Sequence, residues 1–103
     1  MPEAIKIECL GKNATEVARI LKILSNERRV KLLCHLSGEE MSAGDLGNKI
    51  ECGQSSTSQH LSYLRNTKLV KTRQVGTTIY YSLTEPARQL LINLYFLVRE
   101  NNR

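Results

Sequence analysis

The sequence predicts a mainly α-helical domain that carries one β-hairpin, and three observations lead to this fold class. Apolar residues recur at helical spacing in several separate segments of the chain. Two runs of alternating side chains, Val70–Val75 and Thr78–Leu83, flank Gly76-Thr77, which is typical of a hairpin turn. A length of 103 residues is that of one small domain, so we expect the helices and the hairpin to share a single core.

The first strong helical pattern begins at Asn13, and its apolar face consists of Val17, Ile20, Leu21 and Leu24. Asn26 is a typical N-cap and predicts a second helix that continues through Leu36. The predicted inner face of this second helix consists of Val30, Leu33 and Cys34. Residues 1–12 have a weaker pattern, which predicts an N-terminal arm or the start of the first helix. We expect residues 13–103 to form the domain itself.

Two short helices joined by a tight turn come next. Ser42 and Asp45 resemble a capping box, which opens a helix whose inward residues are Ala43, Leu46 and Ile50. The turn Glu51-Cys52-Gly53 follows, and a further helix starts near Gln54 and ends at about Asn66. Two helices connected in this way are typical of a helix-turn-helix motif.

The helix after the turn is rich in small polar side chains. Only Thr57, Leu61 and Leu64 form a core face. Serine is a poor residue for a helix interior, and an ordinary exposed face carries Glu and Lys pairs instead. Short hydroxyls and amides permit close approach to base edges and phosphates, so we expect this helix to enter a groove of DNA. The candidate DNA-binding residues on it are Gln54, Ser55, Ser56, Thr57, Ser58, Gln59, His60, Ser62 and Arg65.

The charge distribution agrees with a nucleic-acid partner. The formal net charge is +5, and the segment 52–84 contains four basic residues and no acidic one. A segment without carboxylates does not repel phosphate, although composition alone is equally compatible with a solvated basic face. Lys71 and Arg73 lie on one side of the first hairpin strand, with Gln74 and Thr77 near the tip. A helix-turn-helix followed by such a hairpin is a winged helix, and these residues are placed to contact the DNA backbone or minor groove.

The last predicted helix runs from about Glu85 to Glu100, with Pro86 at its first position. Its apolar residues extend almost all the way round: Ala87, Leu90, Leu91, Ile92, Leu94, Tyr95, Phe96, Leu97 and Val98. One small domain cannot cover a helix on every side, so we expect a homodimer. A dimer is also what an operator with two half-sites requires.

These residues resemble the ArsR/SmtB family of bacterial repressors. The resemblance covers about Asn13 to Arg99 and rests on Leu24-Ser25-Asn26-Glu27-Arg28-Arg29, Leu32-Leu33-Cys34, Ser55 to Arg65, Leu69 to Arg73 and Ile79 to Leu83. It implies a dimeric winged helix-turn-helix of five helices, with the hairpin between the fourth and fifth. It also implies dimerisation through the first and fifth helices, and binding to double-stranded operator DNA that a small signal modulates.

Within that family, metal sensors place ligands at two positions where this chain lacks them. Residues 41–45 contain no thiol, and residues 86–103 contain no histidine or aspartate. Imidazole and thiolate are the ligands that zinc and softer metals prefer. The resemblance therefore implies no metal site, and we expect no cofactor.

The chain is most similar to the thiol-based branch of the family, the BigR/HlyU-like regulators, which pair a cysteine on the second helix with one on the last. Cys34 matches the first cysteine, but the second position falls near Phe96. Cys9 could pair with Cys34 instead, which makes these two the candidate redox residues. The other interpretation, that Cys34 is a small core residue, is favoured by its place on an apolar face. The identity of the effector stays open.

Other functional classes have less support. A winged helix can serve as a protein-interaction module without DNA binding, but that role does not explain the polar helix. No nucleophile–base pair, glycine-rich phosphate loop or carboxylate pair has a useful spacing, so we expect no enzymatic activity. Because the sequence lacks an apolar run of membrane-spanning length and a signal-peptide pattern, we expect a cytoplasmic protein with no membrane partner.

Overall fold

The computed structural model describes residues 7–102, which form six helices and a three-stranded sheet. In chain order the elements are α1 (Glu8–Lys12), α2 (Ala14–Leu24), α3 (Glu27–Leu36), β1 (Met41–Ser42), α4 (Ala43–Lys49), α5 (Gln54–Asn66), β2 (Val70–Val75), β3 (Thr78–Leu83) and α6 (Glu85–Asn101). Residues 1–6, which are half of the predicted N-terminal arm, and residue 103 lie outside the described residues.

The five predicted helices and the hairpin are confirmed as α2 to α6 and the β2–β3 pair. Two short elements were not predicted. Helix α1 precedes α2 as a separate helix, with Asn13 between them. Strand β1 is only two residues long, which is too short for the alternating pattern that identifies a strand from sequence.

Side-chain caps determine where three of the helices begin. The Asn26 side chain accepts a hydrogen bond from Arg29 N at 3.1 Å at the start of α3. Ser42 Oγ accepts one from Asp45 N at 3.2 Å at the start of α4. Thr84 caps α6, so that Pro86 is the second residue of that helix and leaves no hydrogen bond unmade. Each cap satisfies a backbone N–H that has no partner within its own helix.

The sheet has the antiparallel order β1-β3-β2. Val70 pairs with Leu83 at the base of the hairpin, and Val75 pairs with Thr78 next to its tip. Gly76 forms the turn with φ +61°, a left-handed conformation that glycine adopts without steric cost. Met41 and Ser42 pair with Tyr81 and Tyr80, so β1 attaches the hairpin to the segment that leads directly into α4.

The core lies between α3, α4, α5 and the base of the hairpin. It contains Leu32, Leu33, Leu36, Met41, Leu46, Leu61, Leu64, Leu69, Val70, Leu83 and Ala87. The predicted core face of α5 is confirmed, but that of α3 needs a correction. Helix α3 buries Leu32 and Leu36 beside Leu33, whereas Val30 is half-buried and Cys34 is exposed. Cys34 is therefore not a core residue of the single chain, because the buried face is centred on the other side of the helix.

Helices α2 and α6 are left largely uncovered in the single chain. Helix α2 has no buried residue, and Ala87 is the only buried residue of α6. The Cα radius of gyration is 15.0 Å, compared with about 13 Å for a compact domain of 100 residues. The difference reflects helices that extend beyond the core. No helix among residues 7–102 combines the length and the apolar character needed to cross a membrane.

Candidate nucleic-acid interface

Helices α4 and α5 approach closely at the turn that joins them. A Cβ atom added to Gly47 would lie 3.0 Å from the carbonyl oxygen of Cys52 and 3.0 Å from Thr57 Oγ1. Glu51 makes the turn with φ 54°, while Gly53, the glycine of the turn, has φ −61°, which other residues also adopt. Gly47 is thus the glycine that the motif requires. The sequence offered one signal for it, a glycine in the middle of a short helix.

The outer face of α5 carries the polar residues predicted to contact DNA. No acidic residue occupies its first turn. Its buried face consists of Thr57, Leu61 and Leu64, and the predicted residues on the remaining surface are exposed. These exposed residues are Gln54, Ser55, Ser56, Ser58, Gln59, Ser62 and Arg65. They form a continuous surface of hydroxyl and amide groups with a cation near the end of the helix.

Thr57 is a correction to the predicted DNA-binding set. Its exposed fraction is 0%, and its Oγ1 donates a hydrogen bond to the carbonyl oxygen of Cys52 at 3.4 Å. The side chain fixes the start of α5 against the turn, so it cannot contact a duplex. The same residue was assigned to the core face from sequence, and that assignment is the one the structure supports.

His60 lies at the edge of the polar surface, half-buried against α3. Its Nδ1 accepts a hydrogen bond from Nε of Arg29 at 3.1 Å. Burial lowers the pKa of His60 below its ordinary value, and the positive charges of Arg29 and Arg28 lower it further. The ring is therefore held neutral. The sequence did not reveal this contact, since the two residues are 31 positions apart.

The hairpin carries the second group of predicted DNA-binding residues. Lys71, Arg73, Gln74 and Thr77 are all exposed. Gln74 Nε2 donates a hydrogen bond to the carbonyl oxygen of Gly76 at 3.1 Å, which braces the tip. These residues belong to the same sheet that β1 attaches to α4, so the hairpin and the helix-turn-helix share one rigid scaffold.

Arg73 already has an anionic partner within the chain. It forms an ion pair with Glu40, in which Arg73 Nε lies 3.3 Å from Glu40 Oε2. Its guanidinium also lies 5.3 Å from the centroid of the Tyr80 ring. The hydrogen bond from Arg73 lowers the pKa of the Glu40 carboxyl. Glu40 was not predicted from the sequence, because a loop residue 33 positions away gives no local signal.

The candidate redox residues occupy separate elements, Cys34 on α3 and Cys9 on α1. Both are exposed and free, and Cys52 is half-buried and free. Cys34 lines an apolar groove of about 570 Å³ between α3 and α6, and Phe96 lines the same groove. Phe96, near which the resemblance places the second cysteine of thiol-based regulators, therefore lines the same groove as Cys34 but holds a phenyl ring.

Metal ligands do not cluster in the described part of the chain. No group of three or more His, Cys, Asp or Glu side chains among residues 7–102 is placed to hold a metal ion. Three of the carboxylates in this range form ion pairs with basic side chains instead: Glu16 with Arg19, Glu27 with Lys31 and Glu40 with Arg73.

Comparison with known proteins places this geometry in a family. Residues 26–72, which include α3, the helix-turn-helix and the first residues of β2, match the family model described as bacterial regulatory protein, arsR family. The transcriptional activator HlyU of Vibrio cholerae is 37% identical over 90 residues, which cover 87% of this chain and 83% of HlyU.

Two solved structures share the fold. The transcriptional repressor BigR from Xylella fastidiosa superposes with a TM-score of 0.76 at 41% identity, covering 90% of this chain and 96% of BigR. A homodimeric winged helix-turn-helix DNA-binding domain from Mycobacterium bovis gives a TM-score of 0.82, covering 98% of this chain and 93% of that one. Its identity of 24% bears on the fold alone. From the sequence relatives and the family model together, this winged helix-turn-helix chain belongs to the ArsR family of bacterial regulatory proteins.

Proposed function

We propose that the chain is a sequence-specific, DNA-binding transcriptional repressor that binds a pseudo-palindromic operator as a homodimer. Helix α5 lies in the major groove, and the β2–β3 hairpin contacts the backbone or minor groove beside it. Both modes of regulation occur among its relatives, since HlyU is an activator and BigR a repressor. DNA binding is the property that both modes share.

The observation that carries this proposal is the surface of α5. Its exposed residues are hydroxyl and amide side chains without a carboxylate, although such residues weaken a helix. Helix α5 is nevertheless held firmly, because Leu61 and Leu64 are fully buried and Thr57 anchors its start. The core thus supplies the stability that the outer face lacks, and the outer face is free to fit a groove.

The proposed dimer is supported by the apolar surface that the single chain leaves uncovered. Tyr95, Phe96, Leu97 and Val98 on α6 are each more than half exposed, as is Leu21 on α2. So many exposed apolar side chains are rarely left open to water in a monomer. Helices α2 and α6 correspond to the first and fifth helices of the predicted fold, through which we propose that two copies associate.

The DNA-binding experiment starts from a pool of random duplexes, from which the purified protein selects its own operator. Affinity for the selected duplex and for a scrambled one is then measured by fluorescence anisotropy across salt concentrations. Arg73→Ala should weaken both affinities and reduce the salt slope by about one unit. Gln59→Ala should instead change which duplex is preferred, because a residue that contacts base edges determines sequence. Lys12→Ala, at an exposed position on α1 outside both proposed surfaces, is the control for loss of one positive charge.

The dimer is tested by sedimentation of Leu97→Glu beside Gln89→Glu. Both variants add one negative charge to α6, but Leu97 lies on the apolar surface and Gln89 is an exposed polar position. We expect the first variant to be monomeric and to lose operator affinity, and the second to remain a dimer. A wild-type chain that is monomeric and selects no duplex would instead favour the protein-interaction module.

Cys34 is the residue through which we propose that an oxidant or sulfur species modulates binding. The proposal is supported by the exposure of the thiol and by its place in the groove against α6. A modification there would alter the packing of α3 against the helix that we assign to the dimer. The reactivity of the thiol is the measurable consequence.

A further inference from the structure

Three helices meet at the side chain of Arg29, which is half-buried. Its Nε donates a hydrogen bond to His60 Nδ1 on α5 at 3.1 Å, and its Nη1 donates one to the carbonyl oxygen of Ile23 on α2 at 3.1 Å. Its guanidinium carbon lies 4.3 Å from the centroid of the Tyr63 ring, within the range of a cation–π contact. One side chain on α3 thus links the proposed dimer helix α2 to the proposed DNA-binding helix α5.

The hydrogen bond from Arg29 determines which nitrogen of His60 carries hydrogen. Arginine has only N–H donors and keeps its charge in proteins, so the His60 nitrogen facing it must accept. A neutral imidazole has one accepting and one donating nitrogen. With Nδ1 accepting, the hydrogen of His60 lies on Nε2.

Nε2 of His60 is open to solvent. It makes no hydrogen bond to any residue in 7–102, and no side-chain nitrogen or oxygen in this range is both buried and without a partner. Nε2 is therefore an N–H donor in the middle of α5 that solvent can reach. Its ring is half-buried and tethered, so little freedom is lost when the donor binds an acceptor.

The position of His60 around α5 indicates which acceptor it can reach. With 3.6 residues per turn, His60 lies about one-fifth of a turn from the direction of Thr57, Leu61 and Leu64, on the flank of the helix. The outward direction belongs to Ser55, Gln59 and Ser62. When a helix lies in the major groove, its outward side faces base edges and its flanks face the phosphates along the groove walls.

We propose that Arg29 is a positioning residue for DNA binding, which holds His60 as an Nε2–H donor to one phosphate oxygen of the operator. This inference rests on the proposed function. Arg29 itself stays behind the helix, engaged with Ile23, His60 and Tyr63. Its contribution to affinity therefore passes through His60, which distinguishes it from an arginine that contacts the duplex directly.

The test is a double-mutant cycle of operator affinity with Arg29→Gln and His60→Ala. Each single variant should weaken binding about tenfold, as expected for loss of one hydrogen bond to a charged group. Arg29→Gln should add less than about twofold in the His60→Ala background, because the group it positions is gone. Arg28→Gln removes a positive charge that also acts on His60 but leaves the hydrogen bond from Arg29 in place, so it separates the effect of charge from that of positioning.

Two further readouts keep the test decisive if Arg29→Gln folds poorly. Nitrogen-15 NMR of the wild-type free protein should show hydrogen on Nε2 of His60. Arg29→Met, whose side chain is long but has no N–H donor, should show a mixture of both tautomers. An operator with one neutral methylphosphonate in place of the contacted phosphate should bind the wild type about tenfold more weakly. The His60→Ala variant should not distinguish that operator from the natural one.

Equal losses from Arg29→Gln in both backgrounds, or hydrogen on Nδ1, would overturn the inference while leaving the proposed function in place. A wild-type chain that selects no duplex at all would overturn the proposed function and this inference with it. The NMR measurement separates the two failures, since it requires no DNA.

Discussion

Arg73 on the hairpin is paired with the carboxylate of Glu40, a residue in the loop that precedes the helix-turn-helix. A phosphate of bound DNA would have to replace this carboxylate as the partner of the guanidinium. Glu40 therefore competes with DNA for a cation that belongs to the proposed interface. The pair also holds the hairpin in place before DNA arrives, which reduces the freedom lost on binding.

Replacing Glu40 by Gln should raise operator affinity. The variant removes a negative charge from the interface and frees Arg73, so we expect binding to become about two- to threefold tighter at low salt, with the advantage shrinking as salt rises. Anisotropy titrations across salt concentrations measure both effects. Glu39→Gln is the matched control, because Glu39 is the neighbouring exposed carboxylate and the ion pair of Arg73 is with Glu40. An equal gain in operator affinity from Glu40→Gln and Glu39→Gln would contradict the competition between Glu40 and DNA for Arg73.

Replacing Gly47 by Ala should destabilise the domain, whereas Gly44→Ala should not. Both glycines lie in α4, where Ala is favoured by up to about 1 kcal/mol. A Cβ at Gly44 meets nothing within 4 Å, but at Gly47 it meets the backbone oxygen of Cys52 at 3.0 Å. Overpacking against a rigid group costs about 1–3 kcal/mol, which exceeds the gain in helix propensity.

Urea denaturation should therefore show Gly47→Ala to be less stable than the wild type by about 1 kcal/mol and Gly44→Ala to be slightly more stable. Operator affinity should fall for Gly47→Ala as well, since the start of α5 is displaced. Equal stability of the two variants would mean that the turn can relax, and would contradict the role assigned to Gly47.

Lowering the pH should destabilise the fold through His60. Its pKa in the folded chain lies below the ordinary value of 6.5, chiefly because of burial and also because of Arg29 and Arg28. The unfolded chain then binds the proton more readily than the folded one. The contribution of His60 is complete above pH 6.5 and is lost as the pH falls from there through the folded pKa.

This pH dependence is measured by urea denaturation at about pH 7.5 and about pH 5.5. His60→Gln should reduce the loss of stability between the two conditions, because the titrating group next to Arg29 is removed. His35→Gln, at the exposed second histidine, is the control and should leave the loss in place. If His60→Gln loses as much stability between the two pH values as the wild type does, the pH dependence comes from other groups.

The three thiols should differ in reactivity. Cys34 and Cys9 are exposed and Cys52 is half-buried in the turn, so limiting alkylation should label the first two before Cys52. Mass spectrometry of the digested protein gives the order. Treatment with peroxide tests whether Cys9 and Cys34 can form a disulfide, a reaction in which each thiol loses one hydrogen and peroxide is reduced to water.

A crosslink between Cys9 and Cys34 should vanish in Cys34→Ser and persist in Cys52→Ser, and it should lower operator affinity. Labelling of Cys52 first would contradict the structure of the turn. If the cysteines react with the alkylating agent but form no crosslink, then any effect of oxidants on DNA binding must come from modification of a single thiol.

The sequence predicted the elements that depend on local chemistry. The cap at Asn26, the start of α5 near Gln54 and the turn at Gly76 follow from short-range hydrogen bonds and backbone preference, and the structure confirms each. Helical periodicity also predicted Thr57, Leu61 and Leu64 as the core face of α5. Assigning Thr57 to the DNA surface as well was inconsistent with that periodicity.

What the sequence did not reveal depends on contacts between distant segments. The Arg29–His60 and Arg73–Glu40 contacts join residues more than thirty positions apart, and no local pattern predicts them. The placement of Cys34 failed for a related reason. Helix α3 has apolar residues on two sides, and only the packing of the whole chain shows that Leu32 and Leu36 face the core while Cys34 faces α6.

Strand β1 is only two residues long, yet its pairing with β3 limits how the hairpin and the helix-turn-helix can move relative to each other. Because β1 pairs the β2–β3 hairpin with the residues that open α4, the hairpin cannot tilt independently of the helix-turn-helix. If modification of Cys34 acts as proposed, we therefore expect it to reorient whole protomers and so to change the distance between their two α5 helices. We therefore expect induction to change which distances between the two half-sites of the operator allow binding. The contacts within each half-site should stay the same.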